Sequence, residues 1–66
     1  MNYKIVVTAY EKYEVMKDVI GLRKRSAEKV YDCGTMVDAL EISDIIKNNE
    51  FKDERFIDIQ SSVYRI

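Results

Sequence analysis

Residues 35–49, TMVDALEISDIIKNN, decide the architecture of this chain, because their spacing is the clearest periodic signal in it. At a helical turn of about 100° per residue, Met36, Ala39, Leu40, Ile42 and Ile46 share one broad side. Asp38, Glu41, Asp44 and Asn48 share the other, and Val37 and Ile45 flank the boundary. A wide apolar stripe at this period predicts a helix lying on a core. Thr35 can accept a backbone N–H of the first turn, and Asp38 supplies the acidic half of a capping box. Asp38 also complements the positive end of the helix dipole, and Lys47 the negative end. Asn48 and Asn49 give the stop, since Asn tolerates the left-handed conformation that ends many helices.

Working back from the helix, the N-terminal segment alternates strictly. Tyr3, Ile5, Val7 and Ala9 fall on one face, and Lys4, Val6, Thr8 and Tyr10 on the other. The same parity resumes after Glu11 with Tyr13, Val15 and Val19. Period two with β-branched and aromatic residues predicts strands at 3–9 and 13–20, joined by a turn at 10–12. The competing reading is a helix over 11–20 with Tyr13, Met16 and Ile20 as its stripe. Gly21 punctuates the chain. Beyond it, residues 22–25 are expected to continue the strand and 29–33 to form a short one leading to Gly34, with a charged loop between. A thin helical stripe of Leu22, Ala27, Val30 and Tyr31 is the alternative.

After the helix, residues 51–54 read as a polar link and 55–66, RFIDIQSSVYRI, as a long strand. Ile57, Ile59 and Val63 lie on one side with Ser61 between them, and Phe56, Tyr64 and Ile66 on the other. The pattern weakens at Ser61 and Ser62, where an irregularity is expected. The fold class is therefore α+β: a small antiparallel sheet of three to four strands with one amphipathic helix on a face, in the order β-β-(β)-α-β.

A chain of 66 residues implies one domain with one small core, burying only about 60% of the surface it exposes unfolded. Folds of this size usually add a disulfide, a metal or a partner subunit. A single cysteine and no histidine argue against the first two. Self-association, as a homodimer or higher oligomer, is the expected support. The net charge of −1 argues against a chain dominated by phosphate binding. No apolar run approaches the roughly 18 residues that span a bilayer, and no signal peptide is evident. One unpaired thiol fits a reducing, cytoplasmic setting.

Few residues point to chemistry. Arg23, Lys24 and Arg25, with Lys17 and Lys29 nearby, could contact phosphates while Tyr31 or Tyr13 stacks on a base; the plainer reading is an edge strand or loop kept soluble by its charges. Asp38, Glu41 and Asp44 could hold a divalent cation, but any acidic helix face produces that spacing. Cys33 precedes a helix N-terminus, yet a nucleophile there would lack the histidine that usually serves as its base. Gly34 and Thr35 are better explained as a helix cap than as an anion site.

The chain carries five tyrosines, a residue type enriched at interfaces and on half-buried strands alike. Tyr10, Tyr13, Phe56, Tyr64 and Ile66 are the candidate protein-contact residues. The expectation is a small non-enzymatic protein without cofactor, metal or membrane contact, working through a protein–protein surface. The alternative is a nucleic-acid-binding accessory protein using Arg23, Lys24 and Arg25. Richness in Ile, Lys, Tyr and Asn without Trp or Pro hints at a bacterial or phage origin.

Overall fold

In the computed structural model, which describes residues 2–66, three strands and one helix follow in the order β1 (Asn2–Met16), β2 (Val19–Asp32), α1 (Met36–Glu50) and β3 (Phe56–Arg65). The strands form one antiparallel sheet in the order β2-β1-β3. The α+β class, the β-β-α-β order and a sheet of three strands agree with the sequence reading of three to four strands.

The first hairpin is far longer than its local composition suggests. No turn forms at 10–12 and no helix at 11–20; β1 runs unbroken to Met16. Parity explains it. Tyr3, Ile5, Val7, Ala9 and Glu11 form one buried series, so a polar residue continues the pattern instead of ending it. The chain reverses at Lys17 and Asp18, with Asp18 at φ 64°. Asp tolerates this left-handed conformation better than most residues. The register against β2 shifts between Glu14 and Met16, a bulge that accompanies the tight turn. β2 is then continuous, so the charged stretch read as a loop is strand, paired from Ile20 opposite Glu14 to Asp32 opposite Asn2.

The helix starts as its sequence dictates. The Thr35 hydroxyl accepts the Asp38 N–H at 3.2 Å, with Asp38 in the first turn and Lys47 in the last. It ends later than the two asparagines suggest, because Phe51 is the C-cap and donates its N–H to the Lys47 carbonyl. Phe51 is buried rather than part of a polar link, and its ring meets Phe56 edge-on at 5.1 Å. Ala39, Ser43 and Ile46 are the buried helix positions, with Ile42 partly covered. Ser43 can lie inside because its hydroxyl donates to the Leu40 carbonyl at 2.8 Å.

The helix packs across β1 and β3. The core is Tyr3, Ile5, Val7 and Ala9 of the central strand, with Ala39, Ile46 and Phe51 above them. Ala27 and Tyr31 of β2, Ile59 and Val63 of β3, and Cys33 complete it from the margins. In β3 the irregularity falls at Asp58, not at Ser61 and Ser62: the register shifts between Thr8 and Tyr10, and Asp58 adopts φ 53°. The extra residue inverts the side-chain pattern. Phe56 therefore packs toward the helix with Ile59 and Val63, while Ile57 pairs with Tyr10 and shares the opposite face with Tyr64.

The molecule is long, 48 × 18 × 13 Å. Its Cα radius of gyration is 14.1 Å, where a globule of this length would have about 11 Å. Its accessible surface is 4862 Å², against roughly 4,400 Å² for a compact monomer of this mass. The excess comes from the hairpin, which outruns the rest of the sheet.

The left-handed residue in β3 makes a testable point. Asp58→Val should destabilise the protein by about 1–2 kcal/mol, because a β-branched residue resists positive φ. Asp58→Gly should be within about 0.5 kcal/mol of the parent, since relief of backbone crowding offsets the added freedom of the unfolded chain. Urea denaturation of the two variants checks both values.

Candidate functional site

One end of the sheet is organised by a charge held out of water. Glu11 lies in the inward-facing series of β1, beyond Ala9, and its side chain is only 6% exposed. Antiparallel pairing sets Arg23 directly opposite it and brings Arg25 to the adjacent position on the same face. Across β1, Phe56 is its partner in β3, so Arg55 arrives from the strand's leading end. Glu11 Oε1 accepts the N–H of Arg23 Nε at 2.6 Å and of Arg25 Nε at 3.1 Å, and Oε2 forms an ion pair with Arg55 Nε at 2.9 Å. Arg23 also covers the Tyr13 ring at 4.8 Å, and Arg55 covers the Phe56 ring at 5.1 Å. The Lys12 N–H donates to the Arg55 carbonyl at 2.8 Å, closing the same corner through the backbone.

The bonds from Arg23, followed by those from Arg25, hold the Glu11 carboxyl below its ordinary pKa, against the opposing effect of burial. Three guanidiniums around one carboxylate leave an excess of two positive charges. About half of each arginine side chain remains exposed, so that excess faces solvent.

Beyond Glu11 the sheet narrows to two strands. Pairing with β3 stops at Glu11, so residues 12–16 and 19–22 continue as a lone ribbon about 16 Å long. Its side chains are unusually apolar for such an exposed position. Val15, Met16, Val19, Ile20 and Leu22 are all exposed, Met16 and Ile20 to more than 60%. Gly21 lets Tyr13 and Val15 close over the strand opposite, since a Cβ there would stand 2.8 Å from Val15 and 2.9 Å from the Tyr13 ring.

The face of the sheet away from the helix is uncovered. Along it run Val6, Thr8 and Tyr10 of β1, Leu22, Lys24, Ser26, Glu28 and Val30 of β2, and Ile57 and Tyr64 of β3. Lys4 and Glu28 bridge two strands there at 2.7 Å, and hydrogen bonding to Glu28 raises the Lys4 pKa.

The sequence candidates therefore distribute over different surfaces. Tyr10 and Tyr64 lie on the uncovered face, and Ile66 is exposed just past β3, its N–H donating to the Asn2 carbonyl at 3.0 Å. Tyr13 stands on the other side, at the root of the ribbon beneath Arg23. Phe56 is half-buried against Phe51. Strand alternation separates Lys24 from Arg23 and Arg25, and the residues joining those two arginines are Glu11 and Arg55. Reading 11, 23 and 25 as one cluster required the turn to be placed at Lys17 and Asp18. Asp38, Glu41 and Asp44 remain on the outer helix surface, and no group of metal-ligating residues converges among those described. Cys33 is a free thiol, 4.0 Å from the Thr35 carbonyl. No pocket opens among the described residues, and no helix is long and apolar enough to cross a membrane.

No protein-family model matches the chain, and neither curated proteins nor solved structures yield a match to it.

Two substitutions test this end of the sheet. Glu11→Gln should lower stability at neutral pH, by removing the charge that the arginines surround. A carboxyl with a depressed folded pKa contributes stability that is present above its unfolded value and is lost as pH falls through the folded one. The parent and Glu11→Gln melting curves should therefore converge in acid and separate toward neutrality; parallel curves would deny the carboxylate that role. Gly21→Ala should stay within about 1 kcal/mol of the parent in thermal melting, because the exposed tips of Tyr13 and Val15 can swing away from the added methyl and the alanine has less backbone freedom to lose on folding.

Proposed function

We propose that this chain is a non-enzymatic protein-interaction module that acts by associating with protein, its own copies included. The observation that carries the reading is the two-stranded ribbon beyond Glu11 and the apolar side chains exposed on it. An isolated two-stranded hairpin is marginal in water, and such a length of exposed aliphatic surface is normally covered. The small core gives the same direction, since a chain of 66 residues gains much of its missing burial from a partner. A single thiol without a disulfide partner suits work inside a reducing compartment.

Sedimentation equilibrium over a concentration series tests the proposal. The expected result is a mass above the 7.8 kDa of one chain, returning to one chain in the double variant Met16→Glu, Ile20→Glu, with circular dichroism unchanged. A parent that stays monomeric at every concentration overturns self-association. A double variant that keeps the assembled mass removes the ribbon from the contact surface.

A second reading rests on the positive excess around Glu11. Arg23, Arg25 and Arg55, with Lys24 reaching from the opposite face, could engage nucleic-acid phosphates. Binding would then fall steeply with salt, and Lys24→Ala would weaken it equally across sequences. An oligonucleotide that fails to bind at low salt ends this reading.

A further inference from the structure

The outer edge of β2 is the longest uncovered feature of the fold. The strand has 14 residues, lies at the end of the sheet and pairs only on its β1 side. Its register to β1 is regular from Ile20 to Asp32, with no bulge to bend the edge away, and the sequence contains no proline. Natural edge strands are usually short, bulged or interrupted, because their free N–H and C=O groups template pairing with another chain. This edge has only its charges for protection. The pattern of those charges specifies a partner.

We propose that two copies of the chain pair antiparallel along β2, with Ser26 of one opposite Ser26 of the other. This deepens the self-association reading above and rests on it. In an antiparallel pair, residues directly opposite share a face, so a two-fold axis normal to the sheet sets a residue opposite its own copy. With the axis at Ser26, Lys24 meets the second copy's Glu28 and Leu22 meets the second copy's Val30, each contact occurring twice on the uncovered face. Toward the helix side, Gly21 falls opposite the second copy's Tyr31, a contact of backbone alone, since Tyr13 and Val15 already fill the space at Gly21 and Tyr31 packs on its own core. Arg23 meets the second copy's Lys29, a like-charged contact softened by Glu11, which already holds Arg23.

Neighbouring registers are worse. An axis at Arg25 or Lys24 sets cations against their own copies, and one at Glu28 does the same for a carboxylate. An axis at Ala27 has costs of the same kind, Arg25 against Lys29 and Leu22 against Asp32 where the Ser26 axis has Arg23 against Lys29 and Ile20 against Asp32, but it sets Lys24 against Val30 and so forms no opposite-charge pair. Glu28 can serve both its own Lys4 and the second copy's Lys24, since its side chain is 54% exposed and a carboxylate has two oxygens. The resulting sheet has strand order β3-β1-β2-β2-β1-β3, with both helices on one side. Each ribbon acquires a third strand as neighbour, beside the other copy's Asp32.

Reciprocal charge reversal tests this register. Lys24→Glu alone would set carboxylate against carboxylate at both symmetry-related contacts, and Glu28→Lys alone would set ammonium against ammonium at both. Each variant should dissociate about tenfold more readily than the parent, or more, in sedimentation equilibrium. An equimolar mixture should recover the parent affinity as a heterodimer, because both contacts are then between opposite charges. Circular dichroism of each variant alone verifies folding, and recovery on mixing excludes a trivial loss of structure. A parent that dimerises while Lys24→Glu dissociates no more readily overturns this register and leaves self-association standing. Failure of the mixture to recover overturns it too, and a parent that never dimerises overturns both.

Discussion

Glu11 occupies a position where an apolar residue would be expected, and the outer half of the molecule depends on how its charge is met. The inward series of β1 would otherwise bury a carboxylate without compensation, a costly state in a low-dielectric setting. Arg23 and Arg25 from one neighbouring strand and Arg55 from the threshold of the other converge on it. Their convergence joins β1 to both neighbours at the point where the helix core gives out. Arg23 and Arg55 also lie on Tyr13 and Phe56, so the polar cluster and the apolar core share their boundary residues. Removing the carboxylate alone would leave three cations crowded together, which is why the cluster acts as a unit rather than as separate bridges.

The contrast with the rest of the sheet is one of coverage. Between Tyr3 and Ala9, β1 has strands on both sides and a helix above, and its inward residues are almost fully buried. Past Lys12 it has β2 alone as a neighbour. A surface area and radius of gyration above those of a compact chain are the global expression of that difference. The fold thus consists of a well-packed base and an apolar extension, and interaction surfaces on it follow from its shape more than from any enclosed site.

What the sequence made legible was whatever repeats at a fixed period and is capped by its own residues. The helix is the plainest case, since Thr35, Asp38 and Lys47 mark its ends where the structure uses them. The alternation from Tyr3 to Val15 was equally visible, but Glu11 interrupted its chemistry without interrupting its geometry, and a turn was expected in the wrong place. The true turn lacks glycine, relying on Asp18 at positive φ. The bulge at Asp58 left no mark in a segment whose hydrophobic pattern reads acceptably in either parity. Its effect was to exchange Phe56 and Ile57 between faces, and so to move one candidate contact residue inward. Arg23 and Arg25 stand two residues apart in sequence; that they share a carboxylate and a third arginine is a product of register, which composition does not encode.

The placement of the hairpin turn also bears on how this chain reaches its fold. Hairpins with a strong turn and adjacent apolar contacts can zip outward from the bend. Here the bend at Lys17 and Asp18 is the point farthest from the core, and full burial begins only near Glu11 and Ala9. Closing the loop between Val7 and Ala27, at 20 residues' separation, comes before most of the burial does, and the cost of closure grows with that length. The ribbon is thus the least buried part of the hairpin. Amide exchange would trace the same gradient, slowest at Ile5 and Val7 and fastest toward the tip.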